Sequence, residues 1–241
     1  MSNMTDVNRY SPKIGIITGS GPEAGIDMWT KVVQASRSLQ GTSYRGDLDA
    51  PNVTLFSEPR LGLSMELEEN DSIVWDCLRQ TAQTISARVD YYAIACNTLN
   101  YYQDRLEALC LPSRLVSFAD TVLDYVNERG VKRVALLGAR PVTDMGPWSH
   151  YRKLAGRIDV ELPNATVAEN LHQLIYDIKA RGNTPELRDA FTAILGAMES
   201  DVVLLACTEL PLVYVEHERK EVVDVTDLVA RKLARLTLSN G

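Results

Sequence analysis

One pattern occurs twice in this chain. A short apolar, β-rich segment opens into a glycine-bearing loop. Helical periodicity follows, and then a buried strand that ends in cysteine. The first copy runs from Lys13–Thr18 through Gly19-Ser20-Gly21-Pro22-Glu23-Ala24-Gly25 to Tyr91–Ala95 and Cys96. The second runs from Lys132–Leu137 through Gly138-Ala139-Arg140-Pro141 to Val202–Ala206 and Cys207. Each cysteine is followed, after a comparable gap, by a strand and a helix: Val116-Ser117-Phe118-Ala119-Asp120 in one copy, Val223-Asp224-Val225-Thr226-Asp227 in the other. This reads as a diverged internal repeat whose period exceeds that of solenoids. Alternating strands and helices imply parallel sheets with right-handed crossovers. The expected fold is α/β: two similar Rossmann-like, pseudo-symmetric domains with parallel sheets and an active site in the cleft between them. Functional groups belong at the carboxyl ends of the strands, where the loops gather, and both cysteines stand there. The expected boundaries are 12–118 plus 222–241 for one domain and 119–221 for the other.

Within that frame, the helix after the first glycine loop is expected to bury Ile26, Trp29 and Val33. Strands are predicted at Asn52–Phe56, Leu115–Phe118, Ile158–Leu162 and Val222–Val225. Helices are predicted at Asp71–Val89 (Val74, Leu78, Ala82, Ile85), about 119–128 ending at Gly130, Val167–Arg181 (Leu171, Leu174, Ile175, Ile178), Leu187–Met198 and Thr226–Leu236.

Composition narrows the function classes. The chain has 241 residues, 45% hydrophobic and 24% charged, ordinary values for a soluble globule with an adequate core. A net charge of −7 argues against nucleic acid as a partner. No apolar run approaches the ~20 residues that span a bilayer. The polar stretch Met1–Ser11 lacks a signal core. A cytoplasmic, reducing location is therefore expected, with four free thiols. No C-x-x-C pair exists, and His150, His172 and His217 are scattered, so no metal site is expected.

The chemistry-bearing candidates follow. A thiol at a strand end that opens a helix lies near free backbone N–H groups, which lower its pKa. The small polar neighbours Asn97, Thr98 and Thr208 can add donors to a carboxylate. One such cysteine is most simply a small buried residue. Two at equivalent places of a repeat, each with a threonine close behind, point to a shared site. Cys77 and Cys110, flanked by leucine, are expected core filler. The loop bearing Ser20 and Gly21 fits the dinucleotide fingerprint only in part. It is better read as a helix N-terminus that favours an anion. Arg60, in Ser57-Glu58-Pro59-Arg60-Leu61-Gly62, could clamp a carboxylate or simply be solvated. Thr143 is a hydroxyl donor or a helix cap. Lys179, late in its helix, reads as a surface charge.

These motifs together resemble the aspartate/glutamate racemase family, cofactor-independent enzymes with two cysteines. The resemblance runs from Lys13 to about Leu236. It rests on Ile14-Gly15-Ile16-Ile17 with Gly19-x-Gly21-Pro22-x-Ala24, on Cys96-Asn97-Thr98, on Leu136-Leu137-Gly138 and on Cys207-Thr208-Glu209-Leu210-Pro211-Leu212. It implies Cys96 and Cys207 as the acid/base pair. It implies Asn97, Thr98 and Thr208 at the α-carboxylate and amine. Ser20, Gly21, Thr143 and Glu209 complete the expected substrate-binding set. Arg60 and Lys179 lie where some members place cations for a side-chain carboxylate. It also implies no cofactor, a small anionic amino acid as substrate, and a homodimer. Five residues depart from the family's usual pattern: Ser20, Gly25, Leu99, Asn100, and Ala139 in place of a usual threonine. All five fall in loops expected to border the substrate.

Inverting a stereocentre needs a proton removed from one face and delivered to the other. Paired thiols suit this, because thiol and thiolate are both accessible near neutral pH. Two other readings are a maleate isomerase-like enzyme with one nucleophilic cysteine and a non-catalytic two-lobed anion binder.

Overall fold

The computed structural model describes residues 11–238. Most of the polar stretch Met1–Ser11, and the end of the segment 222–241, lie outside the described residues. In the first half, β1 (Ile14–Thr18) enters α1 (Pro22–Gln40). Next, β2 (Val53–Ser57) passes through a 3-10 stretch (Pro59–Glu66) into α2 (Leu67–Ser86). Then β3 (Tyr91–Ile94) leads through a 3-10 turn (Thr98–Tyr102) and α3 (Gln103–Glu107) to β4 (Arg114–Leu115) and α4 (Phe118–Arg129). The second half begins with β5 (Arg133–Gly138), α5 (Arg140–Thr143), a 3-10 turn (His150–Leu154) and β6 (Asp159–Glu161). It continues with α6 (Ala165–Arg181), α7 (Pro185–Gly196), β7 (Val202–Ala206), α8 (Leu210–Val213), β8 (Glu221–Asp224) and α9 (Val225–Leu238).

The strands form two four-stranded sheets, ordered β2-β1-β3-β4 and β6-β5-β7-β8. Every pairing is parallel. The two orders are the same, as a duplicated unit requires. The central strands β1, β3, β5 and β7 are buried on both faces, so they are nearly continuous apolar runs, whereas the edge strands are partly exposed. Successive side chains alternate between faces. Ile14, Ile16, Ala93 and Ala95 from one sheet share a central cluster with Val134, Leu136, Leu204 and Ala206 from the other. The opposite parity, Tyr92, Ile94 and Cys96, packs under α2. In the second sheet Val203, Leu205 and Cys207 pack under α6 and α7. The two cysteines thus occupy matching positions and matching parities.

Four expectations are corrected. Strand β8 pairs with β7 in the second sheet, whereas α9 packs along α1. The segment 222–241 is therefore divided: its helix packs on the first half, and its strand extends the second sheet. Helix α1 buries Ala24, Met28, Val32 and Ala35, while Ile26 is 60% and Trp29 48% exposed. Its close approach to α9 selects the small and slender side chains, not the bulky ones. Cys110 is exposed, at a positive φ of 49°, rather than in the core. The strand expected at Leu115–Phe118 shortens to two residues because Ser117 caps α4, its Oγ accepting from Asp120 N at 3.3 Å.

The same Ser117 hydroxyl lies 3.2 Å from Nε2 of buried His150, which joins α4 to the second half. With Ser117 Oγ accepting from Asp120, its hydrogen is free for the neutral imidazole. Burial pushes the His150 pKa down to about 3, with Lys153 and Arg152 adding to the effect. In the unfolded chain a histidine titrates near ~6.5. The folded pKa is depressed, so the stabilisation is complete above that value and is lost as pH falls through the window toward 3. Between pH 7 and pH 5 the wild type is expected to lose about 2 kcal/mol more than His150→Gln. Urea denaturation at the two pH values checks this. Equal losses in both proteins would remove His150 as the cause.

Candidate active site

Cys96 follows β3 and Cys207 follows β7, and both line one enclosed space between the halves. Ser20, Asn97, Thr98, Lys179, Thr208 and Glu209 complete most of its wall. Its free volume is about 10 Å³, room for about one water. A larger groove of about 480 Å³ between α6 and α7 is mostly apolar and contains none of these groups.

The Cys207 side is built around a carboxylate. After β7 the chain turns, with Leu210 N bonding Cys207 O at 3.2 Å, and Pro211 opens the short α8. Glu209 Oε2 accepts from Cys207 Sγ at 3.0 Å and from Thr208 Oγ1 at 3.1 Å. Its Oε1 accepts from Lys179 Nζ at 2.5 Å, and Lys179 Nζ also reaches Ser20 O at 3.5 Å. Burial pushes the Cys207 thiol well up, the Glu209 charge and hydrogen bond push it further, and Lys179 offsets part of this. Cys207 therefore rests as the protonated thiol that its geometry shows. Burial acts to lower the Lys179 pKa, but the Glu209 charge and hydrogen bond leave it raised. Lys179 stays an ammonium. The pair sits over Gly21, whose φ is 94°; a Cβ there would lie 2.6 Å from Glu209 Oε1 and 3.3 Å from Lys179 Nζ.

The Cys96 side is built from hydroxyls and amides. Ser64, on the 3-10 stretch Pro59–Glu66, places Oγ 3.8 Å from Cys96 Sγ and 2.9 Å from Ser20 Oγ. Tyr151 OH, from the second half, donates to Asn97 Oδ1 at 2.5 Å. Asn97 Nδ2 is buried and has no hydrogen-bond partner among the described residues. Asn100 locks the turn. Its Nδ2 donates to Cys96 O at 2.9 Å and Ile94 O at 3.3 Å, and its Oδ1 accepts from Phe118 N at 3.2 Å.

Of the five departures from the family pattern, two line the space: Ser20 and Ala139. Leu99 is in the core beneath α2, and Asn100 is fully buried against backbone. Gly25 is packed on Thr18, where a Cβ would meet side-chain atoms at 2.6 Å.

Three expected residues are not among those that line the space: Gly21, which lies beneath the Glu209–Lys179 pair, Arg60 and Thr143. The Arg60 side chain is 63% exposed and bonded to Glu58, Nε to Oε1 at 3.1 Å. The short Glu58-Pro59-Arg60 turn folds it back on its own cap. Thr143 is buried but donates to Ala139 O at 3.4 Å within its own helix turn. Lys179, read from its helix position as a surface charge, is instead turned inward by Glu209. Ser64 and Tyr151 carried no local signal in the sequence; their roles come from tertiary packing across the halves.

The chain matches the family model described as Asp/Glu/hydantoin racemase over residues 17–233. It is 24% identical over 212 residues to the broad specificity amino-acid racemase RacX of Bacillus subtilis (strain 168), covering 87% of this chain and 90% of that one. Its fold is similar to an aspartate racemase homologue from Pyrococcus horikoshii OT3, with TM-score 0.72 and 25% identity over 94% of this chain and 99% of that one. It is also similar to the Picrophilus torridus aspartate racemase, with TM-score 0.77 and 24% identity over 95% and 94% of the two chains.

The carboxylate beside Cys207 leads to one expectation. Glu209→Gln removes the charge that opposes the thiolate and leaves Lys179 to favour it. The pH midpoint for alkylation of Cys207 by iodoacetamide, read by mass spectrometry of its peptide, is expected to move down. An unchanged or higher midpoint would show that Glu209 does not set this thiol's protonation.

Proposed function

The chain belongs to the Asp/Glu/hydantoin racemase family, and we propose that it racemises amino acids at Cα without a cofactor, by proton transfer between Cys96 and Cys207. The observation that carries this reading is the arrival of both thiols, from equivalent strand ends, at one enclosed space. Aspartate and glutamate are the first substrates to expect. Two features support an anionic amino acid: the ammonium of Lys179 and the hydrogen-bond donors Asn97 and Thr98. The name of the B. subtilis relative, a broad specificity racemase, places other amino acids in the same test.

In this mechanism the donors at the strand ends hold the α-carboxylate, where charge accumulates once the α-proton leaves. One thiol takes that proton as thiolate, and the other delivers a proton to the opposite face; the reverse direction exchanges their roles. Cys207, held as a thiol by burial and Glu209, is the proton donor of the resting enzyme. Cys96, with the Ser64 hydroxyl beside it, takes the base role in that direction. A space of about 10 Å³ is smaller than any amino acid, so binding has to part the walls. One tie to be loosened is the bond from Tyr176 OH to Glu66 Oε1, 2.7 Å, which holds α6 to the 3-10 stretch. A cytoplasmic location and a homodimeric assembly belong to the same reading. No helix among the described residues is long and apolar enough to cross a membrane.

The test is α-proton exchange in deuterated buffer on a panel of L- and D-amino acids that includes aspartate and glutamate. The wild type is expected to exchange the α-proton and to invert the centre. Cys96→Ser and Cys207→Ser are each expected to lower racemisation by at least about 100-fold. Full racemisation by both variants would overturn the two-thiol mechanism.

A further inference from the structure

We propose that Tyr151 is a positioning residue for substrate: its hydroxyl fixes the Asn97 side-chain amide so that Nδ2 points into the space between the thiols. This deepens the racemase reading and rests on it for the identity of the bound group, the amino-acid α-carboxylate. An asparagine amide has two orientations that fill the same volume and exchange a donor face for an acceptor face. For a carboxylate ligand they are opposites, since one offers an N–H and the other repels with a carbonyl oxygen. Asn97 is 3% exposed and lines the space, so water does not compensate for the wrong choice.

Tyr151 makes the choice. Its ring is fully buried in the central cluster shared by the two sheets, which holds the hydroxyl in place. That hydroxyl donates to Asn97 Oδ1 at 2.5 Å. The opposite amide orientation would set Nδ2 against the phenol oxygen and strand the buried O–H hydrogen. The observed orientation satisfies both groups and leaves one donor over, Asn97 Nδ2, buried and without a partner among the described residues. A buried donor left unpaired costs free energy, and a carboxylate bound between the thiols supplies the missing acceptor. The contact also crosses the molecule, because Asn97 follows β3 in the first half and Tyr151 lies in the 3-10 turn before β6 in the second. The donor is therefore correctly aimed only when the two halves are in register.

The experiment is a double-mutant cycle on α-proton exchange, with the panel amino acid that the wild type exchanges fastest. Tyr151→Phe keeps the ring and removes the hydroxyl. It is expected to lower kcat/KM about 10- to 100-fold in the wild-type background. In the Asn97→Ala background it is expected to change kcat/KM by less than about twofold, because the amide it orients is gone. A loss of the same size in both backgrounds would overturn the proposal, since a purely structural tyrosine acts regardless of residue 97. So would no loss in either. A second measurement does not depend on activity. In nitrogen-edited NMR, the side-chain NH₂ pair that disappears in Asn97→Ala is expected to exchange slowly with solvent in the wild type and to broaden or exchange faster in Tyr151→Phe. An unchanged pair would overturn the proposal. If the wild type exchanges no α-proton on the panel, the racemase reading falls, and the NMR result alone decides the role of Tyr151.

Discussion

The apolar layer between the two sheets is the constraint from which the rest of the structure follows. Residues from β1 and β3 meet residues from β5 and β7 in a single cluster, with α1, α4 and α9 filling its sides. Strand parity then leaves no freedom. Once Ala95 and Ala206 point into that layer, Cys96 and Cys207 take the other parity at the strand ends. A one-residue slip in either strand would exchange the alanine for the cysteine and dismantle the site. The helices that follow β4 and β8 complete the same layer, which explains why α9 packs along α1 although β8 extends the second sheet. The core and the placement of the two thiols are thus one structural problem.

The symmetry of the backbone is not carried into the surroundings of the thiols. Cys207 is bonded to a carboxylate that an ammonium holds in place. Cys96 lies near a hydroxyl, itself linked to Ser20. Two equivalent acids would share one pKa and would have no preferred resting state. Here burial and Glu209 hold Cys207 as a thiol, and Cys96 has no carboxylate bonded to it. Lys179 limits the cost of placing Glu209 there, because a buried carboxylate without a cation would be strongly unfavourable. The glycine at position 21 is part of the same arrangement, since a side chain at that point would collide with the pair.

The fold was legible in the sequence because its signal is local and repeated: apolar strands, glycine loops and strand-end cysteines at matching places. Helices α2 and α6 bury the residues that their periodicity singles out. What failed was decided by distant neighbours. In α1 the bulky Ile26 and Trp29 looked like the buried face, but the closely packed α9 admits the Ala24, Met28 and Val32 side. Lys179 looked like a helix-end surface charge, and only Glu209, 30 positions further along the chain, turns it inward. Arg60 failed in the opposite sense, for Glu58 two residues earlier holds it at the surface. Ser64 and Tyr151 had no pattern to betray them; each matters through contacts made across the chain.

The departures from the family pattern show how little of a substitution's meaning lies in its position along a motif. Leu99 and Asn100 directly follow the Cys96-Asn97-Thr98 motif, yet neither lines the space between the thiols. Leu99 fills the core under α2. Asn100 uses its side chain to bond the backbone at Ile94, Cys96 and Phe118, which satisfies polar groups that this sharp turn would otherwise bury unpaired. It is a structural lock on the thiol's backbone. Gly25 answers a packing demand from Thr18. Ser20 alone among the four changes the chemistry of the wall, adding a hydroxyl that reaches Cys96 through Ser64. Ala139, the fifth departure, lines the space as well, so any difference in substrate range that these positions produce must enter chiefly through Ser20, whose carbonyl Lys179 touches, and Ala139.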